Sequence, residues 1–382
     1  MGSDPMDEKG GCMARKLRYK PENVCYHVVT RVAHRDFIFD SDVKSMIVKM
    51  IRQVEAFSGV NVLAYTVMSN HLHLLLFIDK PATLKDWEES GLFLNCDFDG
   101  QKHGEVYRIA GRFEFTPEEV DKIKRLRDMP VLERYEMTAG ELKMRMCEVM
   151  RPQAYAALMA SWEKKSAEEL EAEYERQLVR MYDLSEFMKL LKQNITQWYN
   201  ATHKHVGGLW EGRFKDAIIE RSVKAMSSVA AYIDLNAWRA NLVQDPAEYK
   251  WSSLWAAEEG DQARQRAYGF VYDTSADWRT VESAHRQLLQ NRMETDSVKQ
   301  GELEEAVFTS GGIVGSAEFV KQLVDGSEDA FPSGHKTPPV RTKFEGGDLK
   351  VLRNLQVLRK PSKGYKFVHG VRPHGRHGRD GE

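Results

Sequence analysis

The chain has 382 residues, 42% of them hydrophobic and 29% charged, with a net charge of −2. That balance is globular and suits one large domain or two to three smaller ones. No apolar run is long enough to cross a membrane, and the four cysteines form no C-x-x-C pair, which argues against a disulfide framework or a cysteine zinc site and fits a reducing cytoplasm.

Residues 1–12, MGSDPMDEKGGC, lack the apolar core of a signal peptide and read as an added leader, with a natural start near Met13. The first strand expected is NVCYHVVTRV, Asn23 to Val32, which is β-branched and partly alternating. Asp40 or Ser41 then caps a helix whose apolar residues Val43, Met46, Ile47, Met50, Ile51 and Val54 recur at helical spacing. GVNVLAYTVMS gives a second strand, and Asn70 stands at the turn into a third, HLHLLLFI. On that strand His71, His73, Leu75 and Phe77 share one face while Leu72, Leu74, Leu76 and Ile78 share the other, so both faces read as buried. Two imidazoles on one face fit a divalent-metal pair, and equally a pair of core histidines with satisfied hydrogen bonds.

Residues 81–181 change character. Residues 81–180 carry 16 Lys/Arg against 21 Asp/Glu, whereas residues 13–80 carry 10 against 6. The stretch reads as a helical insertion, and Asp97 and Asp99 in it lack the later ligands of a calcium loop. An amphipathic helix resumes at SEFMKLLKQNITQWYNATHK, with Phe187, Leu190, Leu191, Ile195 and Trp198 as its stripe. A strand from Gly212 to Glu220 follows, then a helix, SVKAMSSVAAYIDLNAWRANLV, with Met226, Val229, Ile233 and Ala237 on its core side. Without the insertion the order is β-α-β-β-α-β-α. This is an α+β class with a ferredoxin-like βαββαβ core, a further C-terminal helix and a large helical insertion. Residues 255–330 read as an accessory helical region. Residues 331–382 read as a basic, flexible tail, with 12 Lys/Arg against 4 Asp/Glu, of a kind that contacts nucleic-acid phosphates.

Tyr232 and Asn236 are one turn apart on the last helix of that core and share a face. Packed against the histidine strand, Asn236 could offer an amide oxygen to a metal and Tyr232 a hydroxyl to a phosphate; a packed tyrosine with its hydroxyl at the rim is the plainer alternative. Tyr199 is a second candidate nucleophile, but its neighbour Asn200 is adjacent rather than a turn away, and His203 and His205 lie in an expected loop. Arg213 and Lys215 would share one side of their strand, either as a solvated edge or, with Trp210, as a DNA contact combining charge and stacking.

Four blocks, YHVVTRVAHRDFIF, YTVMSNHLHLLLFI, QWYNATHKHVGGLWEGRFKDAIIE and AAYIDLNAWRANLVQDPAEYKWSS, resemble in order the segments of IS200-like (Y1, HUH-type) transposases. They are most similar to the branch associated with repetitive extragenic palindromes. The resemblance covers residues 13–80 and 182–254. It implies that His71 and His73 bind a catalytic Mg²⁺ or Mn²⁺, with Asn236 as the polar ligand and Tyr232 as the nucleophile. It further implies cleavage of single-stranded or hairpin DNA through a 5′-phosphotyrosine link by a cytoplasmic, nucleoid-associated enzyme. An active site within one chain and one shared across a homodimer both fit. Two features depart from the family: Ala237 stands where a proline usually follows the asparagine, and the insertion is unusually long. A domesticated DNA- or RNA-binding regulator without turnover is the competing class. A ferredoxin-like RNA-binding module would want exposed sheet aromatics, which these strands do not offer.

Overall fold

The computed structural model describes residues 21–91, 93–94, 96, 102–103, 106–109, 113–295, 308, 312–325, 340–344 and 347–352. The expected leader at 1–12, the Asp97/Asp99 pair and most of 331–382 lie outside the described residues.

The core begins with β1 (Val24–Arg31), α1 (Ser41–Ser58), β2 (Val60–Val67) and β3 (His71–Ile78). It resumes with α2 (Leu184–His203), β4 (Lys215–Glu220) and α3 (Val223–Arg239). The strands lie in the order β2-β3-β1-β4, with every neighbour antiparallel. A βαββαβ chain can satisfy that order only with both crossovers on one side, and this is the ferredoxin-like arrangement. β4 begins at Lys215, later than the expected Gly212, because the residues before it are stitched to the end of β1: Ala33 N donates to Leu209 O and Glu211 N to Arg31 O.

Capping sets the helix ends. The Asp40 carboxylate accepts from the amides of Asp42 and Val43 at the start of α1, Asp183 does the same for Ser185 and Glu186 in α2, and the Ser222 hydroxyl accepts from Ala225 in α3. Gly59 ends α1 at φ 68, and a Cβ there would lie 2.6 Å from the Tyr182 ring, so glycine is required for conformation and for space. With no proline after Asn236, α3 runs on to Arg239.

The alternation along β1 and β3 divides the interior into two cores. Tyr26, Val28, Leu72, Leu74 and Leu76 pack with α1 and α2, while Cys25, Leu75 and Phe77 pack with α3. Behind α3 come α4 (Gln262–Val271) and α5 (Trp278–Thr295), so the 255–330 region completes the second core through Tyr268, Val271, Val281 and Leu289. A buried polar network ties these helices together. One Asp234 carboxylate oxygen accepts from Tyr268 Oη and His285 Nε2, each at 2.8 Å, and Tyr272 Oη lies 2.9 Å from His285 Nδ1.

The sheet continues beyond the core. β5 (Ile313–Gly315) pairs parallel with β4, and β6 (Val340–Phe344) and β7 (Gly347–Leu352) form an antiparallel hairpin that joins through β7. Part of the segment expected to be a flexible tail is therefore strand. The segment 81–181 is also not uniform. Residues 80–142 and 165–178 cluster as a compact unit of their own, and residues 143–164 cluster with the sheet. That unit is largely helical, and it includes the short strands Lys102–His103, Val106–Ile109 and Phe113–Phe115.

Candidate active site

His71 and His73 enter from β3, with ring centroids 5.0 Å apart. Both point to the α3 side of the sheet, the side that carries Leu75 and Phe77. His73 is buried, His71 only partly. Tyr232, from α3, sets its ring 5.6 Å from that of His73, at 78°. The strand histidines and the helix tyrosine therefore converge, as the sequence suggested. Thr66 Oγ1 donates to the Ile233 carbonyl at 3.0 Å, which fixes α3 to the sheet beside the tyrosine.

Tyr232 is 3% exposed, with the Phe308 ring 5.0 Å away and the Arg239 guanidinium 5.7 Å from the ring centre. One turn on, Asn236 is held by its own helix. Its Nδ2 donates to Tyr232 O at 2.8 Å and to Ile233 O at 3.3 Å, so its oxygen is the atom left for a ligand.

Three residues at the site gave no functional signal in the sequence. His27 on β1 is fully buried and stacks on His73, with centroids 5.3 Å apart and planes at 10°. Its Nε2 lies 3.1 Å from His73 Nδ1, and its Nδ1 lies 2.7 Å from Phe308 O. Asn70 Oδ1 lies 2.7 Å from His71 Nδ1, while its Nδ2 donates to Arg35 O at 2.7 Å. Arg31 is the register partner of His71 across the sheet. The period-two alternation of β1 could have put His27 and Arg31 on the histidine face, but only strand pairing says which neighbour they meet.

Electrostatics keep the imidazoles neutral. Burial pushes His27 down to about 4 against the Phe308 carbonyl, which pulls the other way. Burial, then the Arg31 charge, pushes His71 down to about 3. His73 falls well below the ordinary value through burial first, then the charges of His71, His27 and Arg31. Neutral imidazole is the form that binds metals.

The chemistry of the two imidazoles and the Asn236 oxygen, nitrogen and oxygen donors, is of the kind a divalent ion takes. His73 Nε2 is buried without a hydrogen-bond partner, which is unusual for a polar atom unless something else occupies its lone pair. Among the described residues no group of three His, Cys, Asp or Glu side chains could hold a metal. Two imidazoles with the Asn236 amide, the set the sequence resemblance implies, would not make a closed zinc site.

The other expected residues fare unequally. Lys215 is exposed, and through Val29 it stands in the same cross-strand row as His73; it shares the face of Ala217 and Ile219. Arg213 is exposed but precedes the strand. Trp210 is engaged structurally. Its Nε1 donates to Thr196 Oγ1 at 2.9 Å, and its ring meets Phe39 and the Lys192 ammonium. Tyr199 packs in the core on the opposite face of the sheet and stacks on His203 at 4.2 Å, so it is separated from the histidine pair.

Residues 20–87 match the family model described as "Transposase IS200 like". No curated protein matches the chain. Among solved structures the chain is similar to one titled "Structure of the REP associates tyrosine transposase bound to a REP hairpin". The identity is 11%, with 65% of this chain and 87% of that one covered, and the TM-score is 0.33. The matched residues contain β1, α1, β2 and β3, with both histidines of the pair, so the similarity to that family lies in this segment.

Proposed function

We propose that this protein is a metal-dependent strand transferase that cleaves single-stranded, hairpin-forming DNA through a tyrosine–phosphate link. The observation that supports this most is the convergence of Tyr232 with the His71–His73 pair, where His73 Nε2 is buried and unpartnered. His71, His73 and the Asn236 oxygen would hold Mg²⁺ or Mn²⁺, which supplies Lewis acidity to the scissile phosphate. The chain's own residues do the rest. Tyr232 Oη forms a bond to phosphorus, the P–O3′ bond breaks, and the phenolic proton is balanced by the proton gained at the 3′-hydroxyl. Arg31, beside His71, and Lys215, in the row of His73, favour the phosphate's charge. Arg213 adds backbone affinity at the edge. Trp210 shapes the loop that carries Arg213 rather than offering a free stacking face.

One observation favours the second reading, a DNA- or RNA-binding regulator without turnover: Tyr232 lies covered by Phe308, with its exposure at 3%. The test is incubation of the full chain with end-labelled single-stranded hairpin DNA and Mn²⁺, followed by a denaturing gel. A covalent protein–DNA band that needs the metal is expected. Retarded DNA on a native gel with no covalent band under any metal would favour the regulator. The same gel with mixed tagged and untagged chains, one of them lacking Tyr232, addresses an active site shared in a homodimer.

A further inference from the structure

We infer that His27 and Asn70 are positioning residues that fix His71 and His73 in a single tautomer, with hydrogen on Nδ1 and the Nε2 lone pair bare. The inference deepens the metal-dependent reading above and rests on it for its use, though not for its geometry.

The Asn70 side chain cannot be turned over without loss, because its Nδ2 donates to the Arg35 carbonyl at 2.7 Å. Its oxygen therefore faces His71 Nδ1 at 2.7 Å, and an amide oxygen only accepts. The hydrogen must sit on His71 Nδ1, which leaves Nε2 as the lone pair. Asn70 is itself held. Val32 N donates to its carbonyl, Phe39 N donates to Ser69 O, and the intervening loop has His34 and Arg35 in left-handed backbone, at φ 59 and 62. Non-glycine residues adopt that region only at a steric cost, so the loop geometry that presents the Arg35 carbonyl is imposed by its surroundings.

The His27 chain of bonds reaches the same result from the other side. The Phe308 carbonyl, 2.7 Å from His27 Nδ1, can only accept, so that nitrogen carries hydrogen. His27 is fully buried, packed against the rings of His73, Tyr232 and Phe308, and among the described residues it has no carboxylate as a hydrogen-bond partner. An imidazolium there would be an uncompensated buried charge, which is strongly unfavourable. His27 Nε2 is therefore bare and accepts from His73 Nδ1–H at 3.1 Å. The opposite arrangement would place an orphan N–H on His73 Nε2, which is buried and without a partner. A hydrogen-bond acceptor behind each imidazole also raises its basicity toward a cation.

The test uses the full chain, first without metal. Long-range ¹H–¹⁵N correlation spectra at neutral pH should show Nδ1–H and bare Nε2 for both His71 and His73. Titration with Mn²⁺ follows. His27→Phe removes the acceptor behind His73 and should weaken Mn²⁺ binding by ~10- to 100-fold, with a mixed His73 tautomer. His27→Gln can still donate toward Phe308 and accept from His73, and should recover most of that loss. Asn70→Ala should release the His71 tautomer and leave that of His73 unchanged. An Nε2–H form of His73 in the wild type overturns the inference, and this holds even if His27→Phe does not fold. Unchanged tautomer and Mn²⁺ affinity in a folded His27→Phe protein overturns it as well. A wild type with the expected tautomers that takes up no Mn²⁺ supports the positioning and sinks the metal-dependent reading instead.

Discussion

The sheet and the unit formed by residues 80–142 and 165–178 are built on different principles. β3 is covered on both faces, and its two sides belong to two large buried clusters. The 80–142 and 165–178 unit is buried in patches: one cluster is Leu94, Val120, Ile123 and Leu126, and Leu84, Val131, Leu142 and Leu178 are buried as well. Polar devices on its surface add to this: a capping box between Thr116 and Glu119, Arg127 donating to Leu94 O and Cys96 O, and a Lys122–Asp86 pair at 2.7 Å with both side chains over 40% exposed. Such exposed pairs contribute about 0–1 kcal/mol each. A two-sided core restricts where a side chain can go, and that restriction is what holds two imidazoles and a phenol in register.

The sharpest way to break that contrast is at Tyr232. Tyr232→Phe removes one oxygen from a packed ring, so it should fold and bind metal and DNA yet form no covalent adduct on a denaturing gel. A persisting band would move the nucleophile elsewhere, against the separation of Tyr199 from the histidines. His71→Ala should lower cleavage by ~10² or more, with partial recovery at raised Mn²⁺; the same metal series should never recover the phenylalanine variant.

Stability should follow the same divide. In His285→Ala the Asp234 carboxyl group loses a 2.8 Å hydrogen-bond partner inside the second core, at a cost of about 1–3 kcal/mol. A lower urea midpoint with an unchanged slope would report it. Acid should act on the sheet as well. With His27 held down to about 4 in the fold, against an ordinary 6.5, the unfolded chain binds more protons between those values. Stability is then full above ~6.5 and falls as pH drops through ~4, by up to roughly 3 kcal/mol from this group. Metal-free unfolding at a series of pH values should show that slope, and His27→Gln should reduce it by this group's share while His71 and His73 keep theirs. The smallest effect belongs to the other unit. Thr116→Ala loses a cap worth about 1 kcal/mol and should raise local amide exchange around Pro117–Asp128 while adduct formation stays unchanged.

The sequence alone determined the elements of the core and the face each residue takes. The 3.6-residue spacing of α1 and the two-residue alternation of β3 are local properties, written into consecutive side chains. They place His71 with His73, and Tyr232 with Asn236, without reference to any tertiary contact. The 81–181 boundary was less legible, because a charged helical composition does not say which helices join which core; residues 143–164 went with the sheet. The hairpin of β6 and β7 lies in a basic stretch whose composition resembles a solvated tail. Trp210 looked available for stacking until the fold supplied Thr196 and Phe39 as partners. Only tertiary structure decided that Tyr232, not Tyr199, meets the histidines, because the sheet lies between the two cores in which these tyrosines sit. Only strand pairing put His27 behind His73, 46 residues away in sequence. A strand encodes which face a residue takes through its own neighbours, but the atom across that face comes from another strand, and no local pattern carries that information.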